Sequence, residues 1–93
     1  MLSTTVVNLR RSKYEIYIGR GSRWGNPFSH VLSNFPVEYV NTRREAVQKF
    51  EQWARSQPEY VAAIKKELKG KVLGCFCHPQ LCHGDVLAKI AEE

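Results

Sequence analysis

No stretch of this 93-residue sequence is apolar for more than a few residues, which excludes a helix that crosses a membrane. The segment Met1–Val7 lacks a basic patch followed by a long apolar stretch, so no secretory leader is read and a cytoplasmic address is expected. Cysteine is scarce and odd in number: three residues leave one unpaired in any disulfide scheme. Repeats, low-complexity tracts and long runs of one charge are all missing. Acidic residues are in short supply, with 9 Asp and Glu against 14 Lys and Arg, a net charge of +5. What remains is ordinary globular composition, 43% hydrophobic and 25% charged, which excludes disorder and fibres. The length holds one domain, residues 1–93.

The positive charge is concentrated. Residues 10–23 carry Arg10, Arg11, Lys13, Arg20 and Arg23 against Glu15 alone, whereas the C-terminal third, which holds every cysteine, is close to neutral. Thr4–Leu9 is β-branched and reads as a first strand, Tyr14–Ile18 as a second. The short Arg10–Lys13 link between them predicts an antiparallel hairpin. Residues 19–36, rich in Gly, Ser, Pro and Asn, form a long loop that Trp24, Phe28 and Phe35 would pack. Thr42-Arg43-Arg44-Glu45 is a capping box, followed at helical spacing by Ala46, Val47, Phe50, Trp53 and Ala54. Ser56-Gln57-Pro58-Glu59 is read as a second box, opening a helix with Tyr60, Val61, Ile64 and Leu68 on one face and Gly70 at its end. Lys71–Cys77 is apolar enough to be a central strand, and Val86, Leu87, Ile90 and Ala91 mark a last helix beginning near Asp85. The order β-β-loop-α-α-β-α predicts a small α/β layered fold, a three-strand sheet with helices packed on it, Rossmann-like in character.

Two segments carry chemistry. In Gly74-Cys75-Phe76-Cys77-His78-Pro79-Gln80-Leu81-Cys82-His83-Gly84-Asp85, all three cysteines and two histidines lie close together. On a strand Cys75 and Cys77 share a face, and read blandly they are small buried hydrophobes. Cys82 at the head of a helix lies where backbone N–H groups and the positive dipole end favour a thiolate or an anion. His83 then serves as base or donor, and Asp85 either orients it or caps the helix. No cofactor is expected. The alternative is zinc held by Cys75, Cys77, Cys82 and His83, but adjacent Cys82 and His83 depart from the paired spacing of structural sites.

The other segment is Gly19-Arg20-Gly21-Ser22-Arg23-Trp24-Gly25-Asn26. Its glycines let backbone N–H groups approach an anion, Arg20 and Arg23 supply guanidinium donors, and Trp24 offers a face to a base or an arginine. Gly19, Arg20, Gly21, Ser22, Arg23, Trp24 and Asn26 are therefore the expected ligand-binding residues. The spacing is neither a dinucleotide fingerprint nor a P-loop, and the bland alternative is a packed turn. Net charge alone permits non-specific nucleic-acid binding, but no reading module is present.

Tyr17-Ile18-Gly19-Arg20 with Trp24-Gly25-Asn26-Pro27-Phe28, then Leu73-Gly74-Cys75-Phe76-Cys77 and Cys82-His83-Gly84-Asp85-Val86-Leu87-Ala88, resemble the family catalogued as domain of unknown function 4326. Its members are short single-domain proteins of bacteria and their phages. The resemblance spans most of the chain, with Phe76 where a tryptophan is more usual. It implies that the two loops are the family's marked features, and the simplest physical account places them in one pocket. Arg20, Asn26, Cys82, His83 and Asp85 would then line a site for a small anionic ligand, nucleotide-like in chemistry. As an enzyme, the protein would be a nucleotide-related hydrolase or transferase with Cys82, His83 and Asp85 as its catalytic residues. The alternatives are a non-catalytic nucleotide sensor and a zinc-stabilised or non-specific nucleic-acid-binding module.

Overall fold

The computed structural model describes residues 3–93. In chain order the elements are β1 (Thr5–Asn8), β2 (Ile16–Tyr17), β3 (Phe28–Ser29), β4 (Glu38–Tyr39), α1 (Arg43–Arg55), α2 (Pro58–Glu67), β5 (Val72–Cys75) and α3 (His83–Glu92). β5 lies at the centre of a three-stranded sheet of order β1-β5-β2, and both neighbours run parallel to it. The α/β class and the central place of the apolar Val72–Cys75 strand match the expectation.

The predicted hairpin does not form. Val6 pairs with Leu73 on one side of β5 while Ile16 pairs with the same Leu73 on the other. The chain must therefore return across β5 between its first two strands. Asn8 opens that return, its carbonyl accepting from the backbone N–H groups of Arg11 and Ser12. Tyr14 then lies over Gly74: a Cβ built on Gly74 would fall 2.5 Å from the Tyr14 ring. Gly74 thus has no side chain because the crossing strand link occupies the space, and sequence periodicity carries no trace of that. The long loop also holds more structure than expected, a parallel pair formed by β3 and β4.

α1 begins as its sequence dictates. Thr42 Oγ1 accepts from the Glu45 N–H at 3.1 Å, and the Glu45 carboxylate accepts from the backbone of Asn41, one residue before the cap. Thr42→Ala is expected to cost about 1 kcal/mol, read as a lower urea midpoint with an unchanged slope. The second box is absent. The Ser56 hydroxyl instead donates to the Trp53 carbonyl, and Gln57 precedes α2 with no side-chain cap. Pro58, in the first turn of α2, has no N–H to satisfy. Gly70 (φ +76°) takes the left-handed turn after α2 that the sequence assigned to it.

The apolar faces converge on one core. Phe50, Ile64, Leu68, Leu73, Leu87 and Ile90 are fully buried, joined by Ile18 from just past β2. α3 packs against α1, α2 and β1. Because the three strands are parallel, their carboxyl ends (Asn8, Tyr17 and Cys75) lie at one edge of the sheet. The loops that follow them meet there, as does the first turn of α3.

Candidate functional site

At that edge lies a cavity of about 370 Å³. Gly19, Arg20 and Asn26 enter it from the loop after β2, Arg43 and Val47 from the start of α1, and Cys75, Cys77, Cys82 and His83 from the end of β5 and the head of α3. Phe28, Val31, Phe35 and Phe76 supply apolar wall. The two loops singled out in the sequence therefore share one cavity.

The glycine-arginine loop is braced internally. The Tyr17 hydroxyl donates to the Arg20 carbonyl at 2.9 Å, and the Ser22 hydroxyl donates to the Gly19 carbonyl at 2.6 Å. Gly25 approaches so closely that a Cβ would fall 2.9 Å from the Gly19 carbonyl oxygen and 3.0 Å from the Arg20 Cα. This fold of the loop aims Arg20, whose guanidinium donates once, to the Phe28 carbonyl at 2.9 Å. Its Nε is buried with no partner.

The remaining expected ligand contacts fall elsewhere. Arg23 pairs with Glu67 at 2.9 Å and lies over the Trp24 ring, 5.1 Å from its centroid. Trp24 is 6% exposed and packs on Tyr60, so of the two partners envisaged for its face it has taken the arginine. Neither residue lines the cavity, nor do Gly21 and Ser22. Asn26 does, but its amide ties the loop to α1 through the Ala46 carbonyl and its oxygen accepts from the Phe28 N–H.

The Cys–His loop leaves β5, passes a cis His78–Pro79 peptide and is held to β1 by the Asn8 amide, which donates to the His78 carbonyl at 2.8 Å. Cys82 is the N-cap of α3: its sulfur accepts from the Gly84 N–H at 3.3 Å. Asp85 accepts from the Cys82 N–H at 3.2 Å and is exposed, so the structure gives it the capping role. Gly84 leaves room for Ile18 and Val6, which a Cβ would meet at 2.7 and 3.0 Å. That contact seats α3 on the sheet.

His83 is buried against Phe50, edge to face with ring centroids 5.1 Å apart. Its Nε2 lies 2.7 Å from the Ile18 carbonyl oxygen. A carbonyl only accepts, so Nε2 carries the hydrogen and Nδ1, 3.6 Å from the Cys82 sulfur, holds the lone pair. Burial first, and the Arg20 charge after it, push the imidazole down to about 4. At neutral pH it is an uncharged hydrogen-bond acceptor and has no second proton to give.

Three thiols gather beside it. The Cys75 and Cys82 sulfurs are 2.9 Å apart. The neighbouring Cys75 and Cys77 sulfurs, with burial, push the Cys82 thiol far up, so it keeps its proton. The hydrogen bond from Cys82, then Arg43 and Arg20, pull Cys77 down to about 6. Cys75 is lowered chiefly by the same Cys82 bond, yet Cys82 has one proton to share. Cys77 is the better thiolate, because it is partly exposed and shares the cavity with two guanidinium groups while Cys75 is buried. Of the three thiols it is thus Cys77, read from the sequence as a small buried hydrophobe, that is most open to the cavity, while Cys82 is buried as the helix cap. Among the described residues no group of three or more His, Cys, Asp or Glu side chains is arranged to hold a metal ion, including the zinc set weighed above.

Arg43 is the other residue that sequence reasoning missed. It sits inside a capping box and reads as helix surface, and only the docking of α1 beside β3 turns it inward.

A family model described as Domain of unknown function (DUF4326) matches residues 6–93. A protein of Enterobacteria phage T4, described as "Uncharacterized 12.4 kDa protein in nrdA-td intergenic region", is 33% identical over 85 residues. The match covers 91% of this chain and 74% of the phage protein. No solved structure matches significantly.

Proposed function

We propose, for a chain that belongs to the family described as Domain of unknown function (DUF4326), that the cavity binds a small phosphorylated, nucleotide-like anion between the loops of residues 19–28 and 75–85. One observation carries the reading. Two guanidinium groups, Arg20 and Arg43, line the same cavity, and among the described residues neither has a carboxylate partner. A cationic pocket without its own counter-charge favours an anion, and guanidinium forks match phosphate oxygens two at a time. The first turn of α3 adds the positive end of a helix dipole. Position agrees, since ligands of parallel α/β sheets bind beyond the carboxyl ends of the strands. A volume of about 370 Å³ suits a small molecule, and the phenylalanine walls suit a ring attached to the phosphate.

Calorimetric titration with nucleoside monophosphates, their nucleosides and inorganic phosphate tests this. The phosphorylated nucleosides should bind most tightly. Arg43→Ala should weaken them by roughly 10- to 100-fold, the value of one or two charge-assisted hydrogen bonds. Equal affinity for nucleoside and nucleotide, or an unchanged affinity in Arg43→Ala, would remove the basis of the reading.

A further inference from the structure

Beyond anion binding, the wall of the cavity holds an arrangement that the proposed function does not use. Three thiols meet at the end of β5 and the head of α3, and they differ in access. All three line the cavity, but Cys75 and Cys82 are each 1% exposed, whereas Cys77 is only partly buried. Cys82 sits between the other two in the cavity lining: its sulfur is 2.9 Å from that of Cys75, and Cys77 lines the same cavity. Arg43 and Arg20 line the same cavity as Cys77. An accessible cysteine in an electropositive setting, next to a second thiol that can attack it, is the arrangement that peroxide-sensitive proteins use. A structural role would need none of this asymmetry.

We propose that Cys77 and Cys82 form a peroxide-oxidisable dithiol in the cavity wall, with Cys77 the sulfur that a hydroperoxide attacks and Cys82 the one that closes the disulfide. In the first step the Cys77 sulfur bonds to one oxygen of hydrogen peroxide. The O–O bond breaks, and the departing hydroxide takes a proton from solvent to leave as water. Cys77 is then a sulfenic acid. In the second step the Cys82 sulfur bonds to the Cys77 sulfur while the S–O bond breaks, and the leaving hydroxide carries away the Cys82 proton as water. Two thiols lose two electrons, and one peroxide becomes two waters. Cys75 is not required. It is as deeply buried as Cys82, and Cys77 is the thiol that peroxide reaches first.

The test uses the full chain, reduced with dithiothreitol, freed of it and exposed to hydrogen peroxide at neutral pH. N-ethylmaleimide labelling under denaturing conditions, read by mass spectrometry, should fall from three cysteines to one and return to three after dithiothreitol. Cys75→Ser should still form the intramolecular bond, and tandem mass spectrometry should place that bond between Cys77 and Cys82. Cys77→Ser should slow oxidation at least tenfold. Cys82→Ser should instead accumulate a dimedone adduct on Cys77. Three labelled cysteines after peroxide would overturn the proposal, whether the thiols are inert or shielded by a metal. So would a Cys77→Ser protein that oxidises at the wild-type rate, or a bond formed only between Cys75 and Cys82. Because the wild-type bond assignment needs no variant, a misfolded Cys82→Ser leaves the test intact.

Discussion

Phe50→Ala is expected to remove about 3–5 kcal/mol of folding stability, the range for deleting a buried aromatic ring. Phe50 is fully buried at the centre of α1, with the Trp53 ring 5.8 Å and the His83 ring 5.1 Å away. It is therefore where α1 meets the first turn of α3. A domain of this size has roughly 5–15 kcal/mol to lose, so the variant should sit near its unfolding transition at ambient temperature. Urea denaturation followed by circular dichroism measures the loss. The cavity should suffer as well, because the same ring holds His83 in place and α1 carries Arg43. A loss below about 1 kcal/mol would mean that α1 does not dock on α3 through this ring.

The second large effect is a loss of stability in mild acid. His83 is uncharged in the folded protein, with its imidazole pushed from the ordinary 6.5 down to about 4. The unfolded chain therefore binds more protons than the folded one between these values. Stability from this group is complete above pH 6.5 and is lost as the pH falls toward 4. The difference corresponds to roughly 3 kcal/mol over the window. Urea midpoints measured from pH 7.5 to 4 should fall, and His83→Gln, which keeps an amide donor for the Ile18 carbonyl, should flatten most of that fall. Parallel curves for wild type and variant would show that His83 is not the buried neutral group described above.

Much of the fold could be read from side-chain pattern because helices and strands are local. Ala46, Val47, Phe50 and Ala54 repeat at helical spacing and are all buried. Val86, Leu87, Ile90 and Ala91 do the same in α3. Strand pairing was less accessible. A short polar link suggests a hairpin, and nothing in residues 9–15 says that they cross β5, because the determining contact, Tyr14 on Gly74, joins residues 60 positions apart. Trp24 shows the same limit. An aromatic beside two arginines fits a stacking site as well as it fits a core, and burial against Tyr60 decided the matter.

The scarcity of cysteine has gained the most definition. In the sequence three thiols were one too many for disulfides and badly spaced for zinc, and Cys82 stood out by its place ahead of a helix. In the fold that same place buries Cys82 as a cap, and the partly exposed Cys77 shares the cavity with Arg43 and Arg20. Composition and spacing thus determined the class of the fold, its central strand, its helices and the two loops that the fold brings to one cavity. Only the tertiary structure decided that the strands run parallel, that Arg43 joins Arg20 in the cavity and that Cys77 is the most accessible of the three thiols. The reason is physical: periodicity records which face of an element is buried, whereas the charge and reactivity of a side chain depend on neighbours that only the folded chain brings within a few ångströms.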